Sequence, residues 1–374
     1  MSAKLLSIAT ATPEGTLARE EWTRLAPRIV PDDVPRAVIE RLAERSGIDV
    51  RGCAATPPGG PCFYPDADAP GSGAANPGTS ERMRLWRDAG FPMALRAATA
   101  AIERAGIPAT AFTHCITASC TGYESPGIDA HLVERLGLAR SCRRLNIGHM
   151  GCHAAVNALA CARDAVLANP AACVLVTCTE VSSAHFHRSA RMDRLVADTI
   201  FADGCASAVV AGAAHRGPGH EIAAVHTVLI PETADEMRWT VGNHGFEMTL
   251  GARVPDILRM EVGPWVQQAL GSQGLRTDEV GGWAIHPGGP RVIDAVCEAL
   301  SLAPGSDVHS RAVLREHGNM SSATLLFILE RMRAAGVPGP WVGLAFGPGL
   351  VGELVLVRPS PTGHVPRDGP PDAR

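Results

Sequence analysis

Cys152 stands in the stretch GHMGCHAAVNALA, Gly148 to Ala160, with His149 on one side and His153 on the other. A thiol in that setting can be a nucleophile, a metal ligand or packing. The run that follows, CHAAVNALACARDAVLAN, has helical character, so Cys152 falls at or near a helix N-terminus after a glycine-containing turn. There the helix dipole and free amide hydrogens favour a thiolate and can hold a developing oxyanion. Gly151, Ala154 and Ala155 are small enough for backbone and substrate to approach closely. The competing reading is a buried structural cysteine, the usual fate of the residue. His149 and His153 are four apart, a metal-chelating spacing on a helix face. Gly151 and Cys152 put a turn between them, however, and no acidic third ligand is near in sequence, so they read as partly buried polar fillers.

Two further segments carry chemistry. In WAIHPGGPRVIDAV an apolar strand ends at His286 and is stopped by a Pro-Gly-Gly-Pro turn, which delivers the imidazole to a sheet edge where ligands of α/β folds gather. In REHGNMSSATLLFIL, Asn319 follows Gly318 at the entrance to a helix, where an asparagine is commonly only a cap. Taken together, a cysteine, a histidine and an asparagine amide suit thioester chemistry. The thiolate takes an acyl group, while the other two donate hydrogen bonds to the thioester oxygen or to the enolate left when a malonyl unit loses CO2. His286 is also expected to stabilise the Cys152 thiolate as an ion pair.

The elements that must position these groups alternate. MSAKLLSIATATP reads as a first strand, Val34 to Arg45 as a helix, and the Pro/Gly-rich Cys53 to Thr79 as a long surface loop. Ser80 is expected to cap a helix running to Gly106. Strands and helices then alternate through HCITASC, DAHLVERLGL and ACVLVTCTE, arguing an α/β fold with a buried, largely parallel sheet. A boundary falls near Gly212 to Glu221, and both sides end in a Gly-punctuated strand pair. The reading is two similar halves, 1–215 carrying the cysteine and 216–358 carrying the histidine and asparagine, with 359–374 a disordered tail. The 374 residues are 46% hydrophobic and 19% charged with a net charge of −4, which gives no basic footprint for nucleic acid. No apolar run reaches the length of a membrane span, and no secretory signal is evident. The eleven cysteines therefore read as reduced thiols of a cytoplasmic protein, without a zinc-knuckle spacing.

At these residues the chain resembles the type III polyketide synthases, the chalcone-synthase-like enzymes. GCHAA, IHPGGPRVID, GNMSSATLLFIL and FGPGLVGE are similar to that family's signatures, in family order, as are SCTGYESPGIDAHLVERLGL and IFADGCASAVV. The resemblance covers Lys4 to Val357. It implies a homodimeric, thiolase-like, five-layered αβαβα fold and an acyltransferase that needs no cofactor beyond coenzyme A thioesters. It further implies that Cys152 carries the acyl group, with His286 and Asn319 as partners, and that acyl-CoA and malonyl-CoA are the substrates. Phe201 matches a phenylalanine between CoA tunnel and reaction cavity, and its partner falls on Met248. Cys120, His185, Trp239 and Ser321 fall on other cavity positions, and Arg41 and Arg45 on residues that meet the CoA phosphates. No metal is implied. The sequence departs from the family pattern at Ser125, Met150, His153 and Ala345, and bulky His185 and Trp239 stand where smaller residues are usual.

The implied activity is starter loading, decarboxylative Claisen extension and cyclisation to a pyrone, resorcinol or phloroglucinol-type product. The nearest alternative is an initiating ketoacyl-ACP synthase making a single condensation. A catalytically dead partner subunit, and a metalloenzyme built on His149, His153, His185 and His187, are readings from other classes.

Overall fold

The computed structural model describes residues 2–65, 76–215 and 219–359. In chain order the strands are β1 Lys4–Ala11, β2 Thr16–Ala18, β3 Val50–Gly52, β4 His114–Ser119, β5 Arg143–Gly148, β6 Cys173–Val181, β7 Asp203–Ala211, β8 His220–Leu229, β9 Met237–Gly242, β10 Gly245–Leu250, β11 Gly282–Ile285, β12 Trp341–Gly347 and β13 Val351–Pro359. The helices are α1 Arg19–Ile29, α2 Arg36–Arg45, α3 Thr79–Ala105, α4 Ile128–Arg135, α5 Ala154–Ala168, α6 Met192–Ile200, α7 Val254–Gly271, α8 Pro290–Leu300, α9 Val308–His317 and α10 Thr324–Ala334.

Nine strands run in the order β11-β12-β13-β8-β1-β7-β6-β4-β5. The seam between β1 and β8 holds only the pairs Lys4↔Glu221 and Leu5↔His220, so two sub-sheets meet there. Helices α5 and α10 lie between them. Ala154, Ala155, Ala158 and Ala162 of α5 share one buried cluster with Leu325, Leu326, Ile328 and Leu329 of α10 and with strand residues of both sub-sheets, such as Val176 and Val355. The α5 alanines let the sheets close tightly on this layer, and α10, apolar nearly all round, is buried accordingly. A second cluster packs α3 and α4 on the outer face of the first sub-sheet, and a third packs α7 and α8 on the outer face of the other. The layers therefore run α, β, α, β, α.

Burial on both faces explains why β6 and β7 are apolar without alternation: every residue of each is buried. The expectation of a largely parallel sheet is corrected. Only β4–β5, β4–β6 and β11–β12 run parallel, whereas β1–β7, β1–β8, β6–β7, β8–β13 and β12–β13 run antiparallel. The cause is local in part: the Pro348–Leu350 turn folds β13 straight back onto β12, a hairpin rather than a crossover.

Three local readings also change. The helix expected to be capped by Ser80 is capped two residues earlier, where the Gly78 amide donates to the Glu81 carboxylate at 2.8 Å. The segment after β3 begins as interior, with Cys53, Ala54, Ala55 and Tyr64 buried, because the Tyr64 hydroxyl reaches the Ser183 carbonyl at 2.6 Å. Residues 66–75 of that segment lie outside the described residues. Pro359, assigned to the tail, ends β13 opposite His220, and 360–374 lie outside the described residues.

Candidate active site

Cys152 sits between β5 and α5, with His153 as the residue that caps the helix. Two positive φ angles shape the approach, His149 at 56° and Gly151 at 83°. A Cβ on Gly151 would stand 2.2 Å from Pro348 Cδ, so the β12–β13 turn and the nucleophile turn touch only because residue 151 is glycine. The Gly151 amide donates to Cys120 Sγ at 3.0 Å, which ties the turn to the end of β4.

Asn319 follows α9 through Gly318, whose φ is 72°. Its amide donates to the Ile200 carbonyl at 3.1 Å and its carbonyl accepts the Ala202 amide at 2.8 Å, so its backbone bridges the link from α6 to β7 around Phe201. The Ser321 amide donates to Asn319 Oδ1 at 2.9 Å, which leaves Nδ2 as the free donor end of the amide. Ser321 itself has φ 47°, a strained conformation for a residue other than glycine. Arg51, buried beside Trp22, donates to the carbonyls of Asp198, Thr199 and Phe201 and so clamps the end of α6 that Asn319 rests on.

His286 ends the strand that β11 begins. Its amide donates to the Leu344 carbonyl at 2.8 Å, its side chain is buried, and among the described residues neither ring nitrogen has a hydrogen-bond partner. Burial pushes its pKa down to about 3. Burial also pushes the Cys152 thiol up to about 12, against hydrogen bonds from the Ser321 and Asn319 side chains that pull the other way. Burial thus works against the charged form of each group, and so against the resting thiolate–imidazolium pair that the sequence suggests.

The thiol opens onto a cavity of about 20 Å³ lined by Cys152, Cys120, Phe201, Met248, Trp239 and Ser321, together with Thr121, Gly151, Ser182, Met237 and Pro348. That is room for about one water molecule. Trp239 and Met248 face each other across the β9–β10 hairpin, and Trp239 Nε1 donates to the Cys120 carbonyl at 2.5 Å. His185 lines a second cavity of similar size behind this wall, with His187, Arg194 and Asp198. Its Nε2 meets the Thr121 carbonyl at 2.5 Å and its Nδ1 accepts the Phe246 amide at 3.0 Å, so it is a neutral imidazole holding the hairpin in place. Arg41 and Arg45 are exposed on α2, which packs against α6. His149 and His153 diverge: the first lies tilted against the Phe246 ring, and the second bonds Asn157 at 2.8 Å.

Several site residues escaped the sequence reading. Glu180 of β6 is fully buried and accepts hydrogen bonds from the amides of Cys120 and Thr121 and the hydroxyls of Thr121 and Ser322, gathering the floor beneath the thiol. Glu353 of β13 is likewise buried. The available signal was an acid alone in an apolar run, LVTCTEV and LVGELVLV, which is costly unless it organises polar groups.

Five layers around a thiol at a helix N-terminus define a thiolase-like acyltransferase. The family model for the N-terminal domain of chalcone and stilbene synthases matches residues 2–215, and that for the C-terminal domain matches 221–361. The chain is 32% identical over 359 residues to the 1,3,6,8-tetrahydroxynaphthalene synthase of Streptomyces peucetius subsp. caesius, covering 94% of this chain and 92% of that one. It is 30% identical over 359 residues to the alpha-pyrone synthesis polyketide synthase-like Pks18 of Mycobacterium tuberculosis, covering 93% and 89%. The crystal structure of PKS-I from the brown alga Ectocarpus siliculosus superposes with a TM-score of 0.88 at 29% identity, covering 96% of this chain and 98% of that one. The protein belongs to the chalcone and stilbene synthase family, the type III polyketide synthases. Among the described residues no helix is long and apolar enough to cross a membrane.

Proposed function

We propose that Cys152 is the acyl carrier of a cytoplasmic, homodimeric polyketide synthase that uses acyl-CoA and malonyl-CoA and no other cofactor. Its two halves would be 1–215 and 216–358. The observation that carries the reading is a buried thiol at the start of α5 whose thiolate the Ser321 and Asn319 side chains favour, opening onto a narrow cavity walled by Phe201 and Met248. In loading, the Cys152 proton passes to His286 and the sulfur attacks the starter carbonyl. The bond to the CoA sulfur breaks, and CoA leaves as a thiol with the proton from His286. In extension, the bond between the malonyl carboxylate and Cα breaks, CO2 leaves, and the electron pair stays behind as an enolate held by N–H donors of His286 and Asn319. The enolate carbon attacks the Cys152 thioester, and the thiolate is released.

The narrow cavity favours the shortest starters, and the unbranched Met248 is the wall residue best able to yield as a chain grows. Cyclisation to a pyrone, resorcinol or phloroglucinol-type product follows from a poly-β-keto chain held away from water. Exposed Arg41 and Arg45 would meet the CoA phosphates. The dimer is supported by β5, an edge strand exposed along most of its length, with Leu145, Tyr123 and Met150 exposed nearby. Purified protein is incubated with acyl-CoA starters and malonyl-CoA, with intact mass reporting acylation and product masses reporting extension. Acylation that is lost in Cys152→Ala, followed by several extensions, is expected. Turnover with only an acyl-carrier-protein extender and a single condensation would overturn the reading.

A further inference from the structure

An α-helix leaves its last four carbonyls without a partner inside the helix. In α6 these belong to Ala197, Asp198, Thr199 and Ile200. Ala197 accepts the Phe201 amide at 2.9 Å, and Ile200 accepts the Asn319 amide at 3.1 Å. The other two, with the Phe201 carbonyl just beyond the helix, accept from Arg51 Nη1 at 2.8, 2.8 and 2.6 Å. Arg51 and the backbone of Asn319 therefore close one helix end between them, and both bond the link that carries Phe201.

The strand that carries Arg51 is itself fixed to the helix that delivers Asn319. Just before β3, the Asp49 amide donates to the Arg315 carbonyl of α9 at 2.8 Å. Gly318, between α9 and Asn319, lies close against Arg51: a Cβ there would stand 3.2 Å from Arg51 Cβ. A Cβ on Gly52 would stand 2.5 Å from the Asp203 carbonyl oxygen, so β3 also rests on the start of β7. The guanidinium is buried. The rings of Trp22 and Phe186, 4.6 and 5.6 Å from its carbon, and the negative end of α6 take the place of water around it. Arg51 is not among the residues that line the cavity at Cys152, so its effect on the reaction passes through the groups it holds.

We propose that Arg51 is the positioning residue for Asn319: it fixes the link from Asp198 to Ala202 on which the Asn319 backbone rests, and so sets where the free Nδ2 end of that amide stands when the enolate forms. The proposal rests on the reading of Cys152 as acyl carrier and of Asn319 as enolate donor. Starter loading draws on Cys152 and His286, and decarboxylation draws on Asn319 as well. Loss of the clamp therefore acts on decarboxylation more than on loading.

The test measures the two half-reactions separately. Single-turnover acylation of Cys152 by acetyl-, butyryl- and hexanoyl-CoA is followed by intact mass, and malonyl-CoA decarboxylation is followed as acetyl-CoA formed. Arg51→Met keeps the apolar stem and removes the donors. Arg51→Lys keeps the charge and gathers its N–H donors on one nitrogen, but ends one covalent bond short of Nη1. In Arg51→Met decarboxylation is expected to fall about 10- to 100-fold and acylation by no more than about threefold. Arg51→Lys should show the same split to a smaller degree, and it decides the matter if Arg51→Met does not fold. In an Asn319→Ala background the amide to be positioned is gone, so adding Arg51→Lys should change decarboxylation by less than about twofold. Equal loss of both half-reactions, decarboxylation at the wild-type rate, or a double variant showing the product of the two single losses overturns the proposal. A wild-type protein that is not acylated, or an Asn319→Ala variant that decarboxylates at the wild-type rate, overturns instead the reading beneath it.

Discussion

The neutral state of His286 can be tested by stability alone. Its pKa in the folded protein is pushed down to about 3, because the ring is buried and unpartnered, against an ordinary value of 6.5. Below pH 6.5 the unfolded chain takes up a proton here that the folded chain refuses, so this residue's contribution is whole above pH 6.5 and is lost as the pH falls toward 3. At about 1.36 kcal/mol per pKa unit, moving from pH 7.5 to pH 5.0 costs the wild type about 2 kcal/mol through His286. His286→Ala lacks that loss. His185 and His187, lowered to about 3 and about 4 by burial, act with the same sign, and Asp198 and Asp203, raised to about 7 and about 6 by burial, act oppositely. All four are present in both proteins and cancel in the difference. Urea-unfolding free energies at the two pH values, at one protein concentration, should show the variant losing about 2 kcal/mol less than the wild type. Equal losses would refute the reasoning, since the folded imidazole would then take a proton as readily as an exposed one. A resting thiolate beside His286 would again be possible.

Three other outcomes are expected. Asn319→Ala should cut malonyl-CoA decarboxylation by about 10²–10³, the usual loss for one oxyanion donor, with wild-type turnover removing Asn319 from the mechanism. Gly318→Ala places a Cβ 2.8 Å from that of Ala202 at φ 72° and ψ −169°, costing about 1–3 kcal/mol by thermal unfolding. It should also lower kcat more than it raises KM, because Asn319 is displaced; an unchanged kcat would show that the bridge to Phe201 does not position the amide. Trp239→Ala removes the wall between the cavity at Cys152 and the one lined by His185 and Arg194, at about 3 kcal/mol of stability. Products with more malonyl units should appear by mass spectrometry, and an unaltered profile would mean that this wall does not set chain length.

Much of the scaffold is written locally. Gly106 adopts the left-handed conformation that ends α3, Pro35 precedes α2, and the doubly buried strands β6 and β7 are mostly apolar or small without alternation, each decided by a few neighbouring residues. The motifs around Cys152, His286 and Asn319 were equally visible because each marks its own turn. Strand direction was not visible. An apolar run reads the same whether its neighbour is parallel or antiparallel, and only the closing of the layers chose between them. The hairpin β9–β10 was missed for a related reason: its Trp239 and Met248 are defined by what they cover, not by their own spacing.

The sequence by itself determined the residue types of the chemistry, their order and the elements that end at them. The tertiary structure decided their states. Depth of burial, which no local pattern encodes, pushes both Cys152 and His286 toward their uncharged forms. It also decided the place of His153, which in sequence is only the residue after the nucleophile. Its bond to Asn157 is local, but the Glu353 that orients Asn157 lies 196 positions away and arrives only when β13 folds against α5. Contacts of that range form when the two sub-sheets close on the middle helices, so they belong to the packed molecule and not to any segment of it.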